Sequence, residues 1–211
     1  MSGVNGTPFE TFLAEDGVAV RGTAHHARLK AACASLGLKP SERELEAAFT
    51  DLPGGVWRAR VAVNTAGKVT RELAPFTPDP AVPVPVAWAA ERVEEASPAR
   101  GLKTTDRGLY DRGLAAARAD GLGDLLFLNT RGELAESAIA NVFVELEGGL
   151  FTPPLDAGVL PGVLRAAWLA AGDVTERVVT KAEAESADAL YLVSSLRGVR
   201  RCMLQGRPAV G

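Results

Sequence analysis

The sequence predicts a mixed α/β (α+β) chain divided into two domains. Short alternating apolar segments, typical of strands, are interspersed with apolar residues repeating at i, i+4, i+7, which favour helices. Residues 75–85 hold five prolines, and neither a helix nor a central strand tolerates that density. We therefore predict a small α+β domain over residues 1–77, a proline-rich linker over 78–84 and a larger mixed-sheet domain over 85–211.

The first domain is predicted to contain two hairpins and two helices. Apolar strands on both sides of Asp16-Gly17 form the first hairpin, because Asp-Gly favours a tight turn. A helix should run from His25 to Leu36, and Ser41 should cap a second one. Strand residues alternate over 57–63, and the chain returns over 68–73.

The second domain is predicted to alternate strands and helices around one sheet. The sequence favours a helix starting at Thr105 or Asp106 and a helix opened by Leu160-Pro161-Gly162-Val163. The other predicted elements are strands at 84–93, 125–128, 142–144, 174–179, 190–193 and 199–204, and a short helix at 182–186.

Composition excludes several classes of protein. A net charge of −3 with no basic stripe gives no reason to expect a nucleic-acid surface, and no apolar run approaches the length of a membrane span. Cys33 and Cys202 are too few for a disulfide framework, and neither they nor the two histidines have the spacing of a zinc site. Glycine-rich nucleotide fingerprints are absent. We expect a cytoplasmic protein without a metal, and with neither nucleic acid nor membrane as partner.

The stretch Gly132–Arg165 is the strongest candidate for a binding site. Glu136 is a lone carboxylate among small residues that we expect to form a turn, and the predicted helix start near Val163 would present free backbone N–H groups. Such a pair suits a ligand that is cationic at one end and anionic at the other. Lys103 precedes this stretch. Taken singly, Lys103 is better explained as a solvated surface residue, and a surface turn explains Glu136 nearly as well as a binding site does.

The order of the motifs along the chain favours a binding site over solvated surface residues. GLKTTDRGLYD, DLLFLNTRGELAESAIANVF and LFTPPLDAGVLPGVLR follow FETFLAEDG and HHARLKAACASLG. Together they resemble the class IV (fold type IV) pyridoxal-phosphate enzymes, which include branched-chain and D-amino acid aminotransferases and 4-amino-4-deoxychorismate lyases. The resemblance implies a two-domain, D-amino acid aminotransferase-like fold with pyridoxal 5′-phosphate (PLP) between the domains. The family's D-R-G-x-x-x-G-D segment has no match here, so we expect an N-terminally shortened member.

The resemblance assigns roles to individual residues. Lys103 matches the lysine that forms a Schiff base with PLP, and a partly desolvated site would favour its neutral, nucleophilic form. Glu136 matches the carboxylate that keeps the pyridine nitrogen protonated, so that the ring accepts electrons. Arg28, in the H-x-x-R-L match, resembles the phosphate-binding arginine; without the family, it would be a solvated helix residue.

Further positions match the remainder of the cofactor site. Val163 and Leu164 resemble the residues whose backbone N–H groups hold the phosphate, although branched-chain enzymes have threonine at the position of Leu164. Ser195 matches a phosphate-binding hydroxyl. Arg107 is expected near the cofactor or the substrate. Tyr110 could also lie near the cofactor or the substrate, and packing in the core explains it at least as well. Asn141 is expected to support the site indirectly.

Two reactions remain open on the resemblance. The K-T-T-D-R run after Lys103 and Thr11, counted here as a catalytic residue, favour a lyase that converts aminodeoxychorismate into 4-aminobenzoate and pyruvate in folate biosynthesis. The alternative is an amino acid aminotransferase of the branched-chain or D-amino acid type, with the same cofactor and lysine. A third reading is a degenerate, non-catalytic PLP-fold protein. The resemblance also implies a homodimer acting on a small-molecule amine.

Overall fold

The computed structural model describes residues 6–205. The strands are β1 Phe9–Glu15, β2 Val18–Ala19, β3 Val56–Val63, β4 Val69–Pro75, β5 Val84–Trp88, β6 Asp124–Leu128, β7 Leu134–Ser137, β8 Asn141–Leu146, β9 Gly149–Thr152, β10 Thr175–Glu176, β11 Ala189–Ser194 and β12 Gly198–Leu204. The helices are α1 Gly22–Ser35, α2 Glu42–Thr50, α3 Gly108–Ala119, α4 Val163–Ala171 and α5 Lys181–Ser186. Short 3-10 turns lie at Pro98–Gly101 and Leu155–Ala157.

The chain forms two compact units that are not contiguous in sequence. The first unit runs to Asp79 and also includes Leu102–Asp106 and Ser195–Arg197. The second unit comprises Pro80–Gly101, Arg107–Ser194 and the chain from Gly198 onward. Lys103 therefore belongs to the first unit, whereas the predicted boundaries assign it to the C-terminal domain. The predicted outer limits at residues 1 and 211 lie outside the described residues.

The first unit contains an antiparallel sheet in the order β2-β1-β3-β4. The hairpin between β1 and β2 turns at Asp16 and Gly17, with φ of 47° and 84°. Two successive positive φ values are typical of the type I′ turn that Asp-Gly favours. Helices α1 and α2 pack on one face of the sheet, and the core between them includes Phe12, Leu29, Leu45, Phe49 and Val61.

The second unit contains an eight-stranded mixed sheet in the order β10-β9-β8-β11-β12-β5-β6-β7. Its core is made of aliphatic side chains from the central strands, among them Val142, Val144, Leu190 and Leu192. The predicted strand at 84–93 ends at Trp88, and that at 174–179 is reduced to two residues. Strand β12 lies inside the sheet, between β11 and β5.

Two local predictions around the candidate site are wrong. Glu136 lies in strand β7, which pairs with β6, rather than in a turn. Helix α3 begins at Gly108 with Arg107 at its N-cap, so neither Thr105 nor Asp106 caps it. The helix start predicted at Val163 is confirmed, with Gly162 at the N-cap. Among residues 6–205, no helix is long and apolar enough to cross a membrane.

Candidate active site

Lys103 lies in an extended segment that pairs with the start of β1 in the first unit. Its carbonyl accepts a hydrogen bond from the N–H of Phe9 at 2.9 Å, and the N–H of Thr105 donates to the carbonyl of Thr7 at 3.0 Å. The Lys103 ammonium nitrogen lies 4.9 Å from the centre of the Phe9 ring. The lysine is therefore held by strand-like pairing five residues before α3, rather than at the mouth of a helix.

A buried charge cluster lies between β1 and α1. Glu10 is 1% exposed. Its carboxylate accepts hydrogen bonds from Nε and Nη2 of Arg28, at 2.7 and 2.6 Å, and lies 2.7 Å from Nδ1 of His25. Burial tends to raise the pKa of Glu10, but the hydrogen bonds and charges of His25 and Arg28 outweigh it and hold that pKa below its ordinary value.

The cluster extends to the predicted phosphate-binding serine. The Nε2 atom of His25 lies 2.8 Å from Oγ of Ser195, in the loop between β11 and β12 that belongs to the first unit. A carboxylate only accepts, so Nδ1 of His25 donates to Glu10. The structure thus joins Arg28 and Ser195 through Glu10 and His25.

Thr11 lies on the opposite side of β1 from the buried carboxylate of Glu10. It is half-buried and stands in register with Arg60 on β3. The guanidinium of Arg60 lies over the Phe9 ring, 3.7 Å from its centre. The Phe9 ring therefore contacts Arg60 as well as Lys103.

Glu136 is a buried carboxylate in the second unit, 6% exposed. Its Oε1 accepts the hydroxyl proton of Tyr110 at 2.6 Å. Its Oε2 accepts the backbone N–H of Leu160 at 3.0 Å and the side-chain amide of Asn141 at 3.3 Å. Hydrogen bonds donated to a carboxylate stabilise its charged form, so these three bonds favour a buried anion at Glu136.

Asn141 connects this carboxylate with the turn that leads into α4. Its amide nitrogen donates both to Glu136 and to the carbonyl of Leu160, the latter at 2.9 Å. A Cβ added to Gly162 would lie 1.9 Å from Oδ1 of Asn141, so only glycine fits beside it. The indirect supporting role expected for Asn141 thus has a physical form, a brace between Glu136 and the helix start.

Helix α4 begins at Val163 without a side-chain cap on its first turn. Val163 and Leu164 are both buried, at 7% and 3% exposure, and are the first two residues of the helix. The first N–H groups of a helix have no partner within it and carry the positive end of its dipole. The helix N-terminus that we expect to bind an anion is therefore present, and it begins at Val163.

Arg107 and Tyr110 lie next to Glu136 at the start of α3. Arg107 donates from Nη2 to the carbonyl of Ala138 at 2.7 Å, in the turn that follows Glu136. Tyr110 is buried against the edge of Phe127, with ring centres 5.2 Å apart. Tyr110 packs in the core and its hydroxyl bonds to Glu136, while its contact with a cofactor or substrate stays a prediction. The predicted contact of Arg107 with a cofactor stays a prediction.

The second unit fits the two chemically distinct ends of PLP. The ring nitrogen is basic and pairs with an anion, which Glu136 could supply, and the phosphate is anionic and could bind at the start of α4. Asn141 links these two places within a single unit. In the first unit, Lys103 supplies an amine, and Arg28 and Ser195 belong to one hydrogen-bonded cluster.

Sequence reasoning missed the residues that support the predicted ones. Glu10 occupies a core position of β1, two residues before the buried Phe12; a charge at such a position needs a buried partner, and that signal was available. His25 and Asp124 gave no such signal.

Asp124 accepts hydrogen bonds from the Ser137 hydroxyl at 2.7 Å and from the Ala138 N–H at 3.0 Å, and these bonds hold the turn after Glu136. Burial raises the pKa of Asp124 despite these bonds.

The chain belongs to the amino-transferase class IV family, whose pattern it matches over residues 7–203. A solved structure from Mesorhizobium loti, assigned as an amino-acid aminotransferase, is 31% identical and superposes with a TM-score of 0.88. That match covers 95% of this chain and 100% of the other. The predicted family, fold type IV and class IV enzyme assignment are thereby confirmed.

Two curated relatives differ in their assigned activity. A Schizosaccharomyces pombe protein assigned as an aminodeoxychorismate lyase is 28% identical over 95% of this chain and 90% of its own length. A Thermotoga maritima protein assigned as a branched-chain-amino-acid aminotransferase is 34% identical, but over only 51% of this chain and 41% of its own length. The family therefore implies PLP as cofactor. The two relatives are assigned different activities, a lyase and an aminotransferase.

Proposed function

We propose that this chain binds PLP and uses Lys103 to catalyse a reaction at a small amine. The observation that carries the proposal is the brace in the second unit, where Asn141 joins the buried carboxylate of Glu136 to the turn before α4. An anion and an anion-binding helix start, fixed relative to each other, match the two ends of this cofactor.

Each predicted residue has a role that its surroundings support. PLP supplies an electron-accepting ring joined to the substrate nitrogen. Glu136 would keep the ring nitrogen protonated, and the N–H groups of Val163 and Leu164 would hold the phosphate. Arg28 would contribute a positive charge to phosphate binding, and Ser195 would contribute a hydroxyl group. Lys103 would take the proton from the substrate Cα, and Thr11 and Arg60 would face the substrate side.

Absorbance of the purified protein tests cofactor binding. After incubation with PLP and removal of the excess, we expect a visible band that borohydride abolishes, because a link between PLP and a lysine is reducible. Lys103→Ala should lack this band, whereas Lys30→Ala should keep it, since Lys30 is an exposed partner of Glu42. A wild-type protein without a band after incubation would refute the proposal and favour the non-catalytic reading.

For the reaction we propose a 4-amino-4-deoxychorismate lyase, which releases pyruvate and leaves 4-aminobenzoate. The support is the S. pombe relative, which matches over nearly the full length of both chains. Arg60 supports it too, because its guanidinium and Lys103 contact the same Phe9 ring, and a guanidinium suits a substrate with carboxylates. Such an activity would place the protein in folate biosynthesis, in the cytoplasm.

The second candidate is an amino acid aminotransferase, in which Lys103 would move the proton from the substrate Cα to the cofactor and a keto acid would leave. The M. loti structure, at 31% identity over the whole of its chain, supports this alternative. Assaying 4-aminobenzoate release from aminodeoxychorismate beside keto-acid formation from an amino acid panel separates the two. Keto-acid formation without 4-aminobenzoate would exclude the lyase.

We further propose that the active protein is a homodimer, as the family resemblance implies. Sedimentation equilibrium of the PLP-loaded protein should give twice the 22.0 kDa mass of the chain. A single monomeric species that retains activity at every concentration would refute the dimer without affecting the assignment of the cofactor.

A further inference from the structure

Tyr110 is the middle of a short chain of hydrogen bonds in the second unit. Its hydroxyl lies 2.6 Å from Oε1 of Glu136 and 2.9 Å from Nη1 of Arg100, in the 3-10 turn before Lys103. The tyrosine is 8% exposed. A charged guanidinium and a buried carboxylate are thereby connected through one phenol.

Chemistry fixes the direction of these bonds. A guanidinium has donors only, so the Tyr110 oxygen must accept from Arg100, and the phenolic proton is left to point at Glu136. Burial first, and then the charge of Glu136, raise the pKa of Tyr110 above its ordinary value, although Arg100 opposes this. The phenol therefore stays protonated at neutral pH and keeps donating.

We propose that Arg100 and Tyr110 are positioning residues that hold the Glu136 carboxylate in the orientation in which it pairs with the ring nitrogen of PLP. The inference rests on the proposed function and adds the second half of the support for Glu136. Oε2 is already fixed from the side of α4, by the N–H of Leu160 and by Asn141. Tyr110 fixes Oε1, so that the carboxylate cannot rotate about its last bond.

Packing keeps the phenol itself in place. The Phe127 ring contacts Tyr110 edge-on, and the guanidinium of Arg107 lies 5.5 Å from the centre of the Tyr110 ring. Arg100 is held in turn by a hydrogen bond from its Nε to the carbonyl of Glu94 at 3.3 Å. Charged groups around the phenol thus include Arg100, Arg107 and Glu136, of which Arg100 and Glu136 bond to its oxygen.

Titration of PLP into wild type and Tyr110→Phe, followed by the visible band, tests this role. The substitution keeps the ring and its packing but removes the donor. We expect the dissociation constant for PLP to rise about tenfold, the order expected for one hydrogen bond to a charged group. We also expect the pH midpoint of the band to move upward, because a less firmly protonated ring nitrogen withdraws fewer electrons from the nitrogen joined to Lys103.

Tyr191→Phe is the matched control. The Tyr191 hydroxyl donates to the carboxylate of Glu145 at 2.8 Å in the same unit, but on the pair of strands β11 and β8. Its removal deletes a bond of the same type and should leave the PLP affinity and the pH midpoint unchanged. Thermal denaturation of both variants shows whether a change in affinity merely follows a loss of folded protein.

Arg100→Gln, alone and together with Tyr110→Phe, tests the connection between the two residues. In the wild-type background it should shift the pH midpoint in the same direction as Tyr110→Phe, and in the Tyr110→Phe background it should add nothing. Equal effects in both backgrounds, or a Tyr110→Phe protein that matches wild type in affinity and midpoint, would overturn the inference. A wild type that binds no PLP overturns the proposed function, and the inference with it, before any variant is compared.

Discussion

Glu10 shows how one residue in the first unit makes stability depend on pH. The carboxylate is buried, and its pKa is held below the ordinary value of 4.5 by His25 and Arg28. A depressed pKa means that the folded state favours the charged form, so the contribution is present well above pH 4.5. It is lost as the pH falls below 4.5 and through the lower pKa of the folded protein.

We predict that Glu10→Gln lowers the free energy of unfolding by about 3 kcal/mol near neutral pH, because it removes the buried charge to which Arg28 and His25 are hydrogen-bonded. The difference between wild type and variant should shrink between about pH 5 and about pH 3. Urea unfolding across this range measures it.

The matched control is Glu91→Gln, which removes an exposed carboxylate paired with Arg112 and should change the stability little at any pH. If the stability difference caused by Glu10→Gln were the same at acidic and neutral pH, the charge of Glu10 would not be its source.

The turn before α4 is the element on which the arrangement of the second unit depends. Gly162 has an ordinary negative φ, so its requirement for glycine comes from the neighbouring Asn141 and not from backbone strain. A side chain at this position would displace the Asn141 amide from Glu136, from the carbonyl of Leu160, or from both.

We predict that Gly162→Ala destabilises the protein by about 1–3 kcal/mol, the usual cost of inserting a methyl group into a packed site. It should also weaken PLP binding, because the brace between Glu136 and α4 is broken. Chemical unfolding and PLP titration measure the two effects. Gly54→Ala is the control, since an added Cβ there meets nothing within 4 Å; an equal loss in both variants would contradict the explanation.

Elements with local signals were predictable from the sequence, and those that depend on distant pairing were not. The start of α4 follows from Pro161 and Gly162, and the first hairpin from Asp16-Gly17, because such residues act within a few positions. Glu136 was expected in a turn because its neighbours are small. It lies in a strand because Ser137 pairs with Leu126, eleven residues earlier.

The motifs located the candidate residues, but not the units to which they belong. The order of motifs is a property of the sequence, so Lys103, Glu136, Val163 and Ser195 could be named without a structure. That Lys103 and Ser195 belong to the first unit follows from pairing across long stretches of chain, which composition does not record.

At the scale of the whole molecule, we predict that a fragment of residues 1–79 does not reach the stability of the first unit in the full chain. It lacks Ser195, the partner of His25, and the segment containing Lys103 that pairs with Phe9. Circular dichroism and urea unfolding of the fragment would show this. A fragment with a cooperative transition as stable as that of the full chain would contradict the prediction.

The hydrogen bond between His25 and Ser195 joins positions 170 residues apart. During translation at about 5–20 residues per second, roughly 10–30 s separate the synthesis of the two partners. For that interval a nascent chain contains Glu10, His25 and Arg28 but not Ser195. The first unit is therefore completed only after synthesis has reached Ser195.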